Sequence, residues 1–199
     1  MSYSILFSHH RRFILAIAII VAAAALLVSA FFPFKYSATT RLLIIPKSSL
    51  GVDPYTAVKS AERISENLAQ IVYTTSFFDR VTRAGFSLDL SSFNNASEIQ
   101  KRKLWEKTVA PEVLSGTALL GITVFHQDKE QAKNWASAIA YTLQTQGFEY
   151  TGGNVDIKIV DTPILSRWPV KPNFVMNGFL GLLVGGLLGM IWVAGKYAK

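Results

Sequence analysis

Hydrophobic and polar positions divide this chain of 199 residues into three zones. Residues 13–32 and 174–194 are apolar almost throughout and hold no charged side chain, whereas the stretch between them is mixed. A helix needs about 20 apolar residues to cross the hydrocarbon of a bilayer, and both outer stretches meet that length. The middle zone opens with ATTRLLII (residues 38–45), a β-branched and apolar strand ending at Pro46, and a loop over residues 48–54. From Tyr55 the period changes. Val58, Ala61, Ile64, Leu68, Ile71 and Val72 recur every three or four residues opposite Lys59, Glu62, Arg63 and Glu66, which predicts an amphipathic helix. A second helical piece over residues 77–84 stops at Gly85. Residues 87–111 hold a polar loop, SSFNN, and a short helix around residues 98–108. ALLGITVF (residues 118–125) predicts a central strand, with Gly121 marking a bulge or a close backbone approach. Asp128, with Gln131 three residues on, predicts a capping box. The helix it opens runs to Gln146, stops at Gly147 and buries Ala132, Trp135, Ala136, Ile139, Ala140 and Leu143. A Gly152-Gly153 turn leads to an alternating strand, VDIKIV, over residues 155–160. TPILSRWPVKP, with Pro163, Pro169 and Pro172, then predicts a stiff extended connector.

The pattern predicts an α/β (α+β) extracytoplasmic domain, a small mixed sheet with amphipathic helices, flanked by two transmembrane helices. Its parts are a tail over residues 1–12, a first span over 13–34, the domain and its proline-rich connector over 35–172, a second span over 173–195 and a tail over 196–199. The first apolar run exceeds the roughly 7–15 residues of a signal-peptide core, and Phe31, Phe32, Phe34 and Tyr36 read as an interfacial aromatic belt. It is therefore an uncleaved anchor.

Charge adds orientation. Arg11, Arg12, Lys196 and Lys199 flank the spans on the terminal sides, and all thirteen acids fall between the spans. Basic flanks stay in the cytoplasm, so both termini are expected there, with the domain on the other side of the membrane. Of the net charge of +7, those four anchors supply more than half; the sixteen bases and thirteen acids of residues 35–171 balance to +3. That is too little to point to a nucleic-acid partner. With no cysteine, the chain has no disulfide, thiolate metal site or cysteine nucleophile.

Catalytic constellations do not assemble from these residues. His9 and His10 lie in the terminal tail, which leaves His126 alone in the domain. No Gly-x-Ser-x-Gly elbow or phosphate-binding loop is present. Glu62 and Glu66 share a helix face with Lys59 and Arg63, a solvated, ion-paired arrangement. No cofactor or metal is expected. The basic run Lys101, Arg102 and Lys103 reads as a solvated helix face, or as a contact for an anionic glycan or lipid headgroup. In the second span, Gly181, Gly185 and Gly189 repeat every four residues, with Gly178 and Gly186 nearby. Small residues at this spacing let membrane helices approach closely. The partner is either the first span, with its small residues Ala22–Ala25 and Ser29, or a neighbouring protomer.

Taken in order, these segments resemble the chain-length determinant (Wzz-type) proteins, or polysaccharide co-polymerases. The matching pieces are an aromatic exit from the first span into a short strand (residues 35–46), then ITVFHQDKEQAKNWASAIAYTL, similar to the family's strand followed by D-x-x-x-A-x-x-x-A-N-x. Pro163, Pro169 and Pro172 follow, then a glycine-rich second span beginning at NFVMNG. The resemblance covers about two-thirds of the chain. It implies an anchored, non-enzymatic α/β domain that forms homo-oligomers in the membrane. It also implies a role in chain-length control, assembly or export of a surface polysaccharide: capsule, O-antigen of lipopolysaccharide, or exopolysaccharide. The implied partners are the polymerase or export machinery, the growing glycan and a separate cytoplasmic tyrosine kinase. Residues 87–111 are too short for the long protruding helix of larger members, and no kinase domain follows the second span, so the chain reads as a short member. The alternative is a two-span extracytoplasmic ligand sensor working through a separate output partner.

Overall fold

The computed structural model describes residues 9–47, 53–152 and 155–197. Most of the loop expected over residues 48–54, and Gly153 of the expected turn, lie outside these. The chain forms two compact units, one of Lys35–Pro169, the other of the segments up to Phe34 and from Val170.

In the first unit, β1 (Tyr36–Pro46) is the long inner strand of a four-stranded sheet. Its alternation turns Ala38, Thr40, Leu42 and Ile44 to the buried face, where Leu42 and Ile44 are almost fully enclosed. α1 (Arg11–Ala30) belongs to the second unit; α2 (Pro54–Val72) follows β1 and is capped by Asp53, whose carboxylate accepts from Thr56 N at 3.1 Å. Pro54 sits in its first turn, where no N–H is needed. α3 (Thr75–Thr82) comes next and closes on Gly85, whose φ of +83° glycine adopts without a Cβ clash. α4 (Ser91–Asn94) and α5 (Glu98–Thr108) precede an edge strand, β2 (Val109–Leu114), paired with β3 (Leu119–His126). α6 (Lys129–Tyr150) leads to β4 (Val155–Leu165).

The strand order is β2-β3-β1-β4 and every neighbouring pair is antiparallel, which corrects the expected mixed sheet. β3 and β4, joined by α6, do run parallel, but β1 lies between them: a split β-α-β arrangement. β2 went unread because Pro111 interrupts it. Pro111 lies opposite Ile122 on an outer strand, where a missing N–H leaves no partner unpaired. Gly121 makes no bulge; a Cβ there would lie 3.5 Å from Glu112 O, an ordinary contact. The irregularity lies instead between β1 and β4, around Arg41.

α6 also departs from expectation. Asp128 Oδ1 accepts from Gln131 N at 2.9 Å, but the Gln131 side chain turns away, accepting from Asp89 N at 2.8 Å. The reciprocal capping box forms at Ser97 and Gln100 of α5. The helix does not stop at Gly147 but runs a turn further, to Tyr150. A Cβ on Gly147 would lie 2.5 Å from Ile157 Cδ1, so this glycine brings α6 onto β4.

The core joins the sheet's buried face to Leu68, Val72, Ile139 and Leu143. At one end, Phe78, Phe93, Trp105 and Trp135, one each from α3, α4, α5 and α6, pack ring against ring with centroids 4.9–6.1 Å apart. Such pairs add about 0.5–1.5 kcal/mol each beyond area burial. Phe93 explains why the polar SSFNN stretch folds into a helical turn: it is buried in this cluster. Trp105 Nε1 donates to Val72 O at 2.6 Å, satisfying a carbonyl that the C-terminus of α2 leaves without a helical partner.

The second unit pairs α1 (Arg11–Ala30) with α7 (Phe174–Tyr197). Both are long and apolar enough to cross a membrane. Their outward side chains are exposed on the pair: Ile20 is 67% and Ile191 68% accessible.

Candidate functional site

The seam between α1 and α7 is built by the glycine repeat. Gly181, Gly185 and Gly189, with Val193 one turn further, form the buried stripe of α7. A Cβ on Gly181 would meet Ala22 Cα at 2.7 Å, one on Gly185 would meet Ala18 Cα at 2.7 Å, and one on Gly189 would meet Ile14 Cα at 3.1 Å. The numbers fall along α1 as they rise along α7, so the helices are antiparallel. Backbone stands against backbone, a contact that hydrocarbon chains cannot match. Of the two partners that the sequence left open, the first span of the same chain lies against the glycine face. Asn177 Nδ2 donates to Ser29 Oγ at 2.8 Å at one end of the seam, and Phe13 packs on Trp192 at the other, with centroids 4.5 Å apart. The Asn177–Ser29 bond is a pairing that periodicity alone does not reveal. Its only sequence signal is a polar residue inside each apolar run.

The three prolines do not form one connector. Pro163 lies inside β4, where the strand continues five residues past Val160; this corrects the expectation that the strand ends there. Two residues, Thr162 and Pro163, face Thr40 alone, a bulge on an edge strand that tolerates the missing N–H. The Thr40 hydroxyl spans the irregularity, donating to Asp161 O at 2.7 Å. Pro169 and Pro172 lie in the segment between β4 and α7, and the Lys171–Pro172 peptide is cis. Asn173 caps α7, its Oδ1 accepting from Met176 N at 3.0 Å.

Lys101, Arg102 and Lys103 do not converge either, since successive helical residues point about 100° apart. Lys101 pairs with Glu98 at 3.0 Å. Arg102 borders an open cleft of about 480 Å³ with Gln70, Tyr73 and Glu106. Lys103 is exposed elsewhere on the helix.

Ionisable groups in the first unit serve mainly to tie elements together. Glu62 is not solvated as its helix face suggested: its side chain is only 12% exposed. It accepts from Lys59 Nζ at 2.7 Å and from Gly116 N at 3.3 Å, joining α2 to the β2–β3 turn. The Lys59 hydrogen bond first, and the Gly116 amide second, hold its carboxyl below the usual range. Arg80 binds Glu149 at 2.6 Å and Gln146 at 3.0 Å, joining α3 to α6. His126 Nδ1 accepts from Asp128 N at 3.0 Å, so the ring holds the β3–α6 corner, and its Nε2 stands 4.0 Å from Asp89 Oδ2. The Ser91 backbone N–H, then the Ser91 side chain, keep the Asp89 carboxyl low. Among the described residues no three His, Cys, Asp or Glu side chains converge as a metal set. No protein-family model matches the chain, and no curated protein sequence matches it.

Proposed function

We propose that this chain is a membrane-anchored, non-enzymatic polysaccharide co-polymerase. In this reading it acts as a homo-oligomer in the bacterial inner membrane and regulates the length, assembly or export of a surface polysaccharide. The observation that carries the reading is the order of elements in one short chain. An apolar helix leads into a strand, and an Asp-capped, alanine-rich helix sits between two strands. A proline-containing approach then meets a glycine-stepped apolar helix. The antiparallel α1–α7 pair fits two termini on one side, the cytoplasm, with the α/β unit outside. Since α1 covers the glycine stripe, protomers would meet through other surfaces, and the stripe serves to hold each chain's two spans together. A polymerase or export complex, the growing glycan and a separate tyrosine kinase are the partners of this reading.

The test is the size distribution of surface and secreted polysaccharide on a gel, with the gene deleted and then restored. A modal length distribution that turns random or short on deletion and returns on complementation is expected. An unchanged profile and yield would remove the co-polymerase reading and favour the two-span sensor with a separate output partner.

A further inference from the structure

Within the α/β unit, a second cleft opens where α4, the C-terminal half of α5, the end of β3 and the start of α6 meet. Its volume, about 370 Å³, is in the range of pockets that hold small molecules. Its apolar side is Leu104 and the edge of Phe93, backed by the fully buried Trp135, and is rigid because Phe93 and Trp135 belong to the ring cluster. The rim is polar and of both signs. Lys35 and Lys107 line it with no ion pair among the described residues. Asp89, Asp128, His126 and Ser92 line the same cleft.

This balance selects a ligand class. An anion attracted by the two lysines meets two carboxylates, and a cation meets the lysines, so neither sign is favoured. A purely apolar ligand would strip water from every rim group without replacing its hydrogen bonds. A ligand carrying many hydroxyls satisfies both kinds of group, since a hydroxyl accepts from an ammonium and donates to a carboxylate. The 4.0 Å gap between His126 Nε2 and Asp89 Oδ2 is beyond hydrogen-bond reach and is a width that one bridging oxygen closes. The flat C–H face of a sugar ring would rest towards the Phe93 side. We infer that this cleft binds a saccharide unit, with Lys35 and Lys107 donating to its hydroxyls and Asp89 and Asp128 accepting from them. The ligand class follows from the cleft; that the saccharide belongs to the growing surface glycan rests on the proposed function.

The test uses the full-length chain in living cells fed a radiolabelled hexose. The photo-crosslinker p-benzoylphenylalanine replaces Lys107 or, in a second variant, Ser92 on the same rim. Lys103→p-benzoylphenylalanine, exposed on α5 but outside the cleft, is the reference. After irradiation the chain is purified under denaturing conditions; acid hydrolysis releases labelled monosaccharides joined by glycosidic bonds to the unit that the benzophenone holds by a carbon–carbon bond, and mass spectrometry of the peptide identifies the held unit itself. The expected result is several-fold more labelled sugar, released or held on the peptide, from the Lys107 and Ser92 variants than from the Lys103 variant. Sugar no higher than the Lys103 value at both rim positions, including adducts of protein or lipid alone, would overturn the inference. Sugar capture at the cleft with an unchanged polysaccharide profile on gene deletion would keep the cleft assignment and remove the co-polymerase role, so the two fail separately.

Discussion

Two residues in the α/β unit act through what surrounds them more than through their own type. Gly147 sits inside α6 where alanine would favour the helix by about 1 kcal/mol. Its Cβ would press on Ile157 Cδ1, the end of a side chain that is itself in the core. Overpacking costs typically about 1–3 kcal/mol, so Gly147→Ala is expected to destabilise by about 1 kcal/mol net. Ile157→Val removes the offending methyl. The double variant Gly147→Ala/Ile157→Val is therefore expected to be more stable than the sum of the single effects, as measured by denaturant melts of the detergent-solubilised chain. Additive effects would show that the two do not touch. Glu62 is the second case. Its carboxyl is lowered in the folded chain, so the stability it contributes is present above its unfolded value of about 4.3 and is lost as pH falls through the lower folded value. Wild type and Glu62→Gln should therefore differ most near neutral pH and converge in acid, once pH falls below the lowered folded value, in thermal midpoints measured across pH. A constant offset through the acid range would refute the pairing with Lys59 and Gly116.

Whole elements obey the same logic of contact. α1 and α7 are each apolar on every side, so hydrophobicity cannot choose which faces meet; small residues do, because only there can two backbones come together. Gly185→Leu would place a branched side chain against Ala18 Cα and Ile17 O, neither of which can rotate away. The pair is expected to separate. A Ser29→Cys/Asn177→Cys chain, bridged by a short bis-thiosulfonate reagent, reads this out in a protein with no other cysteine. Adding Gly185→Leu should lower the bridged fraction several-fold. Gly186→Leu, on a side with open space, should leave it unchanged. The sheet offers the complementary lesson: β2 and β4 both contain a proline, and both are edge strands, where such a residue is tolerated.

At the scale of the molecule, an antiparallel helix pair constrains topology. If both helices span the bilayer, the start of α1 and the end of α7 lie on the same side. The cysteine-free chain permits a direct measurement. His10→Cys and Lys196→Cys variants should both be shielded from a membrane-impermeant maleimide in intact cells, and both react after permeabilisation. Ser92→Cys, in the α/β unit, should react before it. Labelling of one terminal site alone in intact cells would break the two-span topology on which the proposed function depends.

Much of this was legible in the order of residues. The two long apolar helices, the amphipathic face of α2, Asp128 as the cap of α6 and α5 as a helix all follow from local periodicity and capping, which act over a few residues. The edge strand β2, the antiparallel pairing throughout, the extension of β4 through Pro163 and the passage of α6 through Gly147 do not. Each depends on which distant segment lies alongside: Ile122 beside Pro111, β1 between β3 and β4, Thr40 opposite the bulge, Ile157 beneath the glycine. The cleft was invisible for the same reason. Lys35, Asp89, Lys107 and His126 are far apart in the chain, and only the packing of α4 and α5 against the β3–α6 corner makes them neighbours. Local sequence determined most of the helices, the two long apolar ones among them; tertiary structure decided the edge strand, the strand and helix ends and every element's neighbours, because pairing and burial are interactions between residues that sequence distance does not connect.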